Sequence, residues 1–166
     1  MIRPPSQARD YDLFFSGDPA FRQPQRLGVD ATDEQRAELE QYLATLRAAK
    51  ETGSWSSLLI EGQMPTKFVC QQVDRNVWRS LTDRAILPVD SPRHIGQVAL
   101  HALLFRLAIK EVVGWPRFGR EPDPTWDGWT MAPASLVTQL DEIDPRIVGE
   151  IGSDVFARLR GVGPLF

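Results

Sequence analysis

Apolar residues return every three or four positions from Ala37 to Ala49, through Leu39, Tyr42, Leu43 and Leu46. That spacing lines them along one side of a helix. Thr32-Asp33-Glu34-Gln35 precedes the stripe with the pattern of a capping box: the threonine oxygen faces a first-turn amide and the glutamine side chain reaches back. Gly53 supplies a stop. Two short apolar runs follow, Leu58-Leu59-Ile60 and Thr66 to Val73, separated by Gly62-Gln63-Met64-Pro65. Together they predict a β-hairpin. Asp74 caps a predicted helix over 75–85, with Val77, Trp78 and Leu81 on one face. Ser91-Pro92 then opens the most apolar stretch of the chain, a predicted long helix that runs to Gly114. It is apolar around most of its circumference, which predicts a central helix with Leu100, Leu103, Leu104 and Leu107 in the core. A short helix near 135–143 and a last one from Asp144-Pro145 to about Arg160 complete the pattern. Gly161, Gly163 and Pro164 close it, leaving Leu165-Phe166 as an apolar tip.

Two segments break the periodicity. Residues 1–30 carry Pro4, Pro5, Pro19 and Pro24, which remove backbone donors and exclude a long helix. The same segment holds Tyr11, Leu13, Phe14, Phe15 and Phe21, more aromatic character than a disordered linker carries. It reads as an extended arm that lays its rings on a neighbouring subunit. Residues 115–133 contain Pro116, Pro122, Pro124 and Pro133 and read as a long loop, a kind of segment that tends to be functional. The expected fold is α+β and mainly α: a single small domain over 31–166 with a central apolar helix and a short β-hairpin, preceded by the arm over 1–30. The expected partner-binding residues are Tyr11, Phe14, Phe15 and Phe21 in the arm, and Trp115, Phe118, Trp126 and Trp129 in the loop, because aromatic anchors dominate docking surfaces.

Composition narrows the chemistry. The 166 residues carry 19 basic and 22 acidic side chains, a net charge of -3. A protein whose main work is coating nucleic acid needs a basic excess instead. The one cysteine, Cys70, excludes an intramolecular disulfide and a cysteine-based zinc site, and reads as a packing residue. His94 and His101 stand two helical turns apart without a third histidine to complete a metal site. There is no phosphate-binding glycine loop, no dinucleotide fingerprint and no nucleophile elbow. No catalytic residue, metal or cofactor is expected, and the protein reads as a non-enzyme. The N-terminus lacks an apolar signal core, and the longest charge-free run, His94 to Phe105, is too short for the roughly 20 residues that cross a bilayer. These features point to a cytoplasm, or an assembly built there, without secretion or a membrane span.

Two alternatives carry specific residues. Lys67, Arg75, Arg79, Arg84, Arg93, Arg106 and Lys110 form a local basic surplus that suits an adaptor or regulator binding nucleic acid or a host protein. Glu121, Asp123 and Asp127 lie among Trp115, Trp126 and Trp129, a composition that suits glycan binding or a glycosidase pair. Asp141, Glu142 and Asp144 read as a solvated face with a helix cap.

The run from Pro65 to Leu81, with Thr66-Lys67-Phe68 leading to a helix that contains Trp78, resembles a pattern in small uncharacterised structural and assembly proteins of tailed bacteriophages. In that group a long helix ends at a Gly-Trp-x-x-Phe turn, here Gly114-Trp115-Pro116-Arg117-Phe118. A turn resembling Leu140-Asp141-Glu142-Ile143-Asp144-Pro145 precedes the final helix. The resemblance covers residues 56–160 and departs from the group at Gln71-Gln72-Val73, where an Arg-Pro-Leu segment is usual. It implies a non-enzymatic head, neck or tail component. Such a protein would work through contacts with other virion or assembly proteins, be oligomeric in an assembly, and carry no catalytic residues.

Overall fold

The computed structural model describes residues 9–162. The fold is mixed α/β and mainly helical. The chain divides into two compact units: one takes the N-terminal residues up to Leu13 together with Lys67 onward, and the other spans Phe14–Thr66. The division does not fall at residue 30, where the expected arm ended.

The first unit is built on a three-stranded antiparallel sheet, β1 (Tyr11–Leu13), β2 (Phe68–Cys70) and β3 (Ile109–Val112), with β2 in the middle. Tyr11 lies opposite Cys70 and Leu13 opposite Phe68. The predicted hairpin between 58–60 and 66–73 is therefore not formed. Phe68 and Cys70 alternate toward the core as expected of a strand, but β2 takes its partners from far away in sequence. Periodicity shows that a segment pairs without showing with what.

Helix α2 (Arg75–Ala85) starts where Asp74 accepts from the amides of Asn76 and Val77. The predicted long helix is shorter at both ends. Helix α3 spans Gln97–Ala108, and residues 91–93 form a turn ahead of it. At Ala108 the chain passes directly into β3, where β-branched Ile109 and Val112 favour a strand. Gln71 N–H donates to Ala108 O at 2.7 Å, and Val113 N–H to Lys67 O at 3.0 Å, so the ladder with β2 outweighs continued helix. Residues β4 (Glu121–Asp123) and β5 (Trp129–Met131) form an antiparallel hairpin within the expected loop. Helices α4 (Ala134–Ile143) and α5 (Ile147–Val162) follow, the last ending two residues beyond its expected limit. The tip at 163–166 and the first eight residues of the arm lie outside the described residues.

Helices α3 and α5 supply most of this unit's core. Leu100, Leu103, Leu104 and Leu107 are buried as the spacing predicts, against Ile151 and Val155 among others. Gly152 lets the two backbones meet. A Cβ built there would stand 1.9 Å from the His101 carbonyl oxygen. Leu104 has no exposed surface, and Leu104→Ala is expected to cost about 2–5 kcal/mol. Urea melts test this, and a loss below about 0.5 kcal/mol would remove Leu104 from the core.

The second unit contains α1 (Asp33–Thr52), with the expected capping box and Gly53 in the left-handed conformation. Its core gathers Phe21, Ala49 and Leu58, flanked by Phe14, Tyr42, Leu46, Trp55 and Leu59. Residues 20–22 and 58–60 pair antiparallel: Arg22 N–H donates to Leu58 O and Ile60 N–H to Ala20 O, each at 2.8 Å, around a Phe21–Leu59 bridge. The apolar run at 58–60 thus pairs with the segment read as an arm. Asp18 closes the unit, accepting from Ala20 N–H and, across 48 residues of sequence, from Thr66 N–H, both at 2.9 Å.

Candidate interaction surface

The hairpin β4–β5 organises the aromatic loop. Asp123 Oδ1 accepts from Thr125 N–H at 2.9 Å, and Gly128 N–H returns to Asp123 O at 3.0 Å. Asp127 and Gly128 both adopt positive φ, which a short polar side chain and a glycine tolerate. Pro122 fits because a two-stranded ribbon leaves one side of each strand without a ladder, and Pro124 because it opens the 3-10 turn Pro124–Trp126, where its missing N–H costs nothing.

Three guanidinium groups fasten this hairpin. Arg106 of α3 donates through Nε to Ala132 O at 2.8 Å and through Nη1 to Asp123 Oδ2 at 2.9 Å. Arg120 donates to three carbonyls, Leu107 at 2.9 Å, Thr130 at 2.7 Å and Ile109 at 3.2 Å. It joins the hairpin to the α3–β3 junction, and burial lowers its pKa from the ordinary value. Arg84 of α2 pairs with Asp127, and its Cζ lies 5.9 Å from the Trp126 ring centroid and 5.5 Å from that of Trp129. The two tryptophans present ring surface to a cation of their own chain, a cation–π arrangement.

The acidic trio does not assemble as a glycosidase pair. The Arg106 side chain, and then the Thr125 amide, hold the Asp123 carboxyl below its usual range. It is therefore an anion at neutral pH, poorly suited to deliver a proton. Asp127 is engaged by Arg84, and Glu121 is exposed at the start of β4. Cys70 is fully buried, and burial pushes its thiol up to about 12, so little thiolate exists at neutral pH. The His101 ring lies 5.7 Å from that of Phe156, and burial lowers its pKa. Among the described residues no group of three or more His, Cys, Asp or Glu side chains is placed to hold a metal ion. The same residues include no helix long and apolar enough to cross a membrane.

No protein-family model, curated protein sequence or solved structure matches this chain.

The eight expected contact residues are divided between the two units. Tyr11 sits in β1 with the Arg158 guanidinium 3.9 Å above its ring. Phe14, Phe15 and Phe21 belong to the other unit. Phe15 and Phe21 are buried there, Phe21 stacking on Trp55 at 4.8 Å between centroids, so these two are core and not partner anchors. Trp115, Phe118, Trp126 and Trp129 are each half-buried in the first unit. Phe118 lines a shallow depression of about 200 Å³ with Lys110, Glu111 and Val112 of β3.

The basic group is also largely spent within the chain. Lys67 pairs with Asp12, Arg84 with Asp127, Arg106 with Asp123 and Lys110 with Asp10. What the sequence pattern leaves unseen is an apolar set spread over the α2–α3 connection and the first turn of α3. Ile86, Val89 and Val98 are 82%, 85% and 85% exposed. Their spacing matches no single helix face, so periodicity carries no signal for them; the clue is large apolar residues flanking Pro88, Asp90 and Ser91.

Because Arg106 depresses the Asp123 pKa, the pair stabilises the fold above the ordinary carboxylate pKa, and that contribution is lost as pH falls through the folded value. Arg106→Met is therefore expected to lower the urea midpoint most at neutral pH. The gap to the parent chain should narrow as pH falls from about 4 toward 2, while the loss of the Ala132 contact persists. A gap independent of pH would show that the pair contributes little.

Proposed function

We propose that this chain is a non-enzymatic bacteriophage virion or assembly protein, a head, neck or tail component that works through protein–protein contacts. The observation that carries the contact reading is the exposure, each by more than four-fifths, of Ile86 and Val89 on the α2–α3 connection and of Val98 in the first turn of α3. Scattered exposed apolar residues need no explanation, but a local concentration of large ones usually marks a docking site. The phage assignment rests on the Thr-x-Phe strand, the Trp78 helix and the Gly114-Trp115-Pro116-Arg117-Phe118 turn. The engagement of Asp123 and Asp127 by arginines supports a non-enzyme over a glycosidase. The internal pairing of Lys67, Arg84, Arg106 and Lys110 favours protein over nucleic-acid partners.

The test has two arms. Mass spectrometry of purified particles from the source is expected to find the chain in reproducible copy number. An Ile86→Ser, Val89→Ser, Val98→Ser triple variant is expected to fold normally and fail to enter the particle. Absence of the chain from both particles and assembly intermediates would overturn the virion reading. Normal incorporation of the triple variant would overturn the assignment of the surface.

A further inference from the structure

Helix α1 is longer than its own core requires. Of its 20 residues only Ala49 is buried, and Tyr42 and Leu46 complete the face turned to Phe21 and Leu58. At 3.6 residues per turn, Asp33, Arg36, Glu40, Leu43, Ala44, Arg47 and Glu51 fall within about 100° of the circumference, away from that core face. All seven are exposed, Leu43 by 45%. Asp33 opens the face in the first turn of the helix, and its counterpart by symmetry, residue 54, lies beyond the helix end. From Arg36 to Glu51 the signs are positive, negative, two apolar positions, positive, negative, an order antisymmetric about the point between Leu43 and Ala44.

That order selects one occupant. A parallel copy would set Arg36 on Arg36 and Glu40 on Glu40. An antiparallel copy reverses the order and sets each charge against its opposite. We propose that α1 pairs antiparallel with α1 of a second copy of this chain, with Arg36 opposite Glu51, Glu40 opposite Arg47 and Leu43 opposite Ala44. The two-fold axis doubles each contact, as in any isologous interface. Ala44 leaves room for the two backbones to approach at the centre, where Leu43 of each copy finds cover. Exposed ion pairs are individually weak, and a single helix pair lies at the small end of specific interfaces. The expected dimer is therefore reversible, with a Kd of about 10–100 μM. The pairing rests on α1 alone and stands or falls separately from the virion reading.

Sedimentation equilibrium of the full chain, from about 1 μM to about 1 mM, brackets that affinity. A monomer–dimer equilibrium is expected. Glu40→Arg should weaken it about tenfold or more, since both symmetry-related contacts become repulsive, and Arg47→Glu should do the same independently. The double variant Glu40→Arg, Arg47→Glu restores opposite charges across the axis and should return to within about threefold of the parent affinity. Circular dichroism at 222 nm separates charge reversal from loss of helix. A chain that stays monomeric throughout, a dimer indifferent to both reversals, or a double variant no tighter than the single ones would each overturn the pairing.

Discussion

Gly152→Ala is expected to destabilise the protein by more than about 4 kcal/mol, a size that single changes reach only through a severe packing or burial defect. The added methyl would meet the His101 carbonyl oxygen at 1.9 Å and its carbonyl carbon at 2.6 Å. Those atoms belong to the backbone of α3, inside its hydrogen-bonded helix, and cannot swing aside as a side chain would. Relief requires α3 and α5 to move apart, which opens the packing around Leu104, Ile151 and Val155, all without exposed surface. Gly149, three residues earlier on the same helix, has nothing within 4 Å of a built Cβ. Gly149→Ala is therefore the internal control and should be neutral or stabilising by a few tenths of a kcal/mol through helix propensity. Denaturant melts of the pair check this. Equal midpoints for the two variants would show that the helices can separate at little cost.

Phe21→Ala is expected to cost about 3–5 kcal/mol and to act on the 14–66 unit. Phe21 is 1% exposed, lies 4.8 Å from the Trp55 ring and 6.0 Å from the Phe14 ring, and sits on the bridge to Leu59. With Ala49 and Leu58 it makes up a buried cluster of this unit, and its removal leaves a cavity at the centre of that cluster. Native-state hydrogen exchange should show amides of Arg22 and Ile60 losing protection far more than those of β2 and β3. Equal loss in both units would indicate a single cooperative transition. Deletion of residues 2–28, which would spare a free arm's host domain, should instead unfold this unit, since it removes Phe15, Ala20 and Phe21 together.

The elements with local causes were legible in the sequence. The capping box at Thr32, the Asp74 cap, the Gly53 terminus and the leucines of α3 depend on residues within a turn or two of each other, and all stand as read. What depends on distant partners was not legible. The arm looked extended because prolines exclude a helix, and residues 9–30 indeed form none. The rings of Phe14 and Phe21 are accounted for by Trp55, Leu58 and Leu59 some forty residues later. Residues 109–112 read as helix because their apolar run continues that of α3; only the ladder with β2 distinguishes the strand. The proline loop concealed a hairpin whose stability comes from Arg84, Arg106 and Arg120. Arg84 and Arg106 looked like part of a basic surface until Asp123, Asp127 and the carbonyl of Ala132 were placed beside them.

The pairing of β1 with β2 has a topological meaning. Leu13, the last residue of β1, lies opposite Phe68, the first of β2. The chain leaves and re-enters the sheet at neighbouring positions, which is the geometry that a turn of two to five residues closes in an ordinary hairpin. Here residues 14–66 occupy the place of that turn. They form an insertion whose entry and exit points a tight reverse turn could join without altering the register of a single strand. Such grafted modules can be lost, exchanged or enlarged while their host sheet persists, because no hydrogen bond of the β1–β2 ladder depends on what the loop contains.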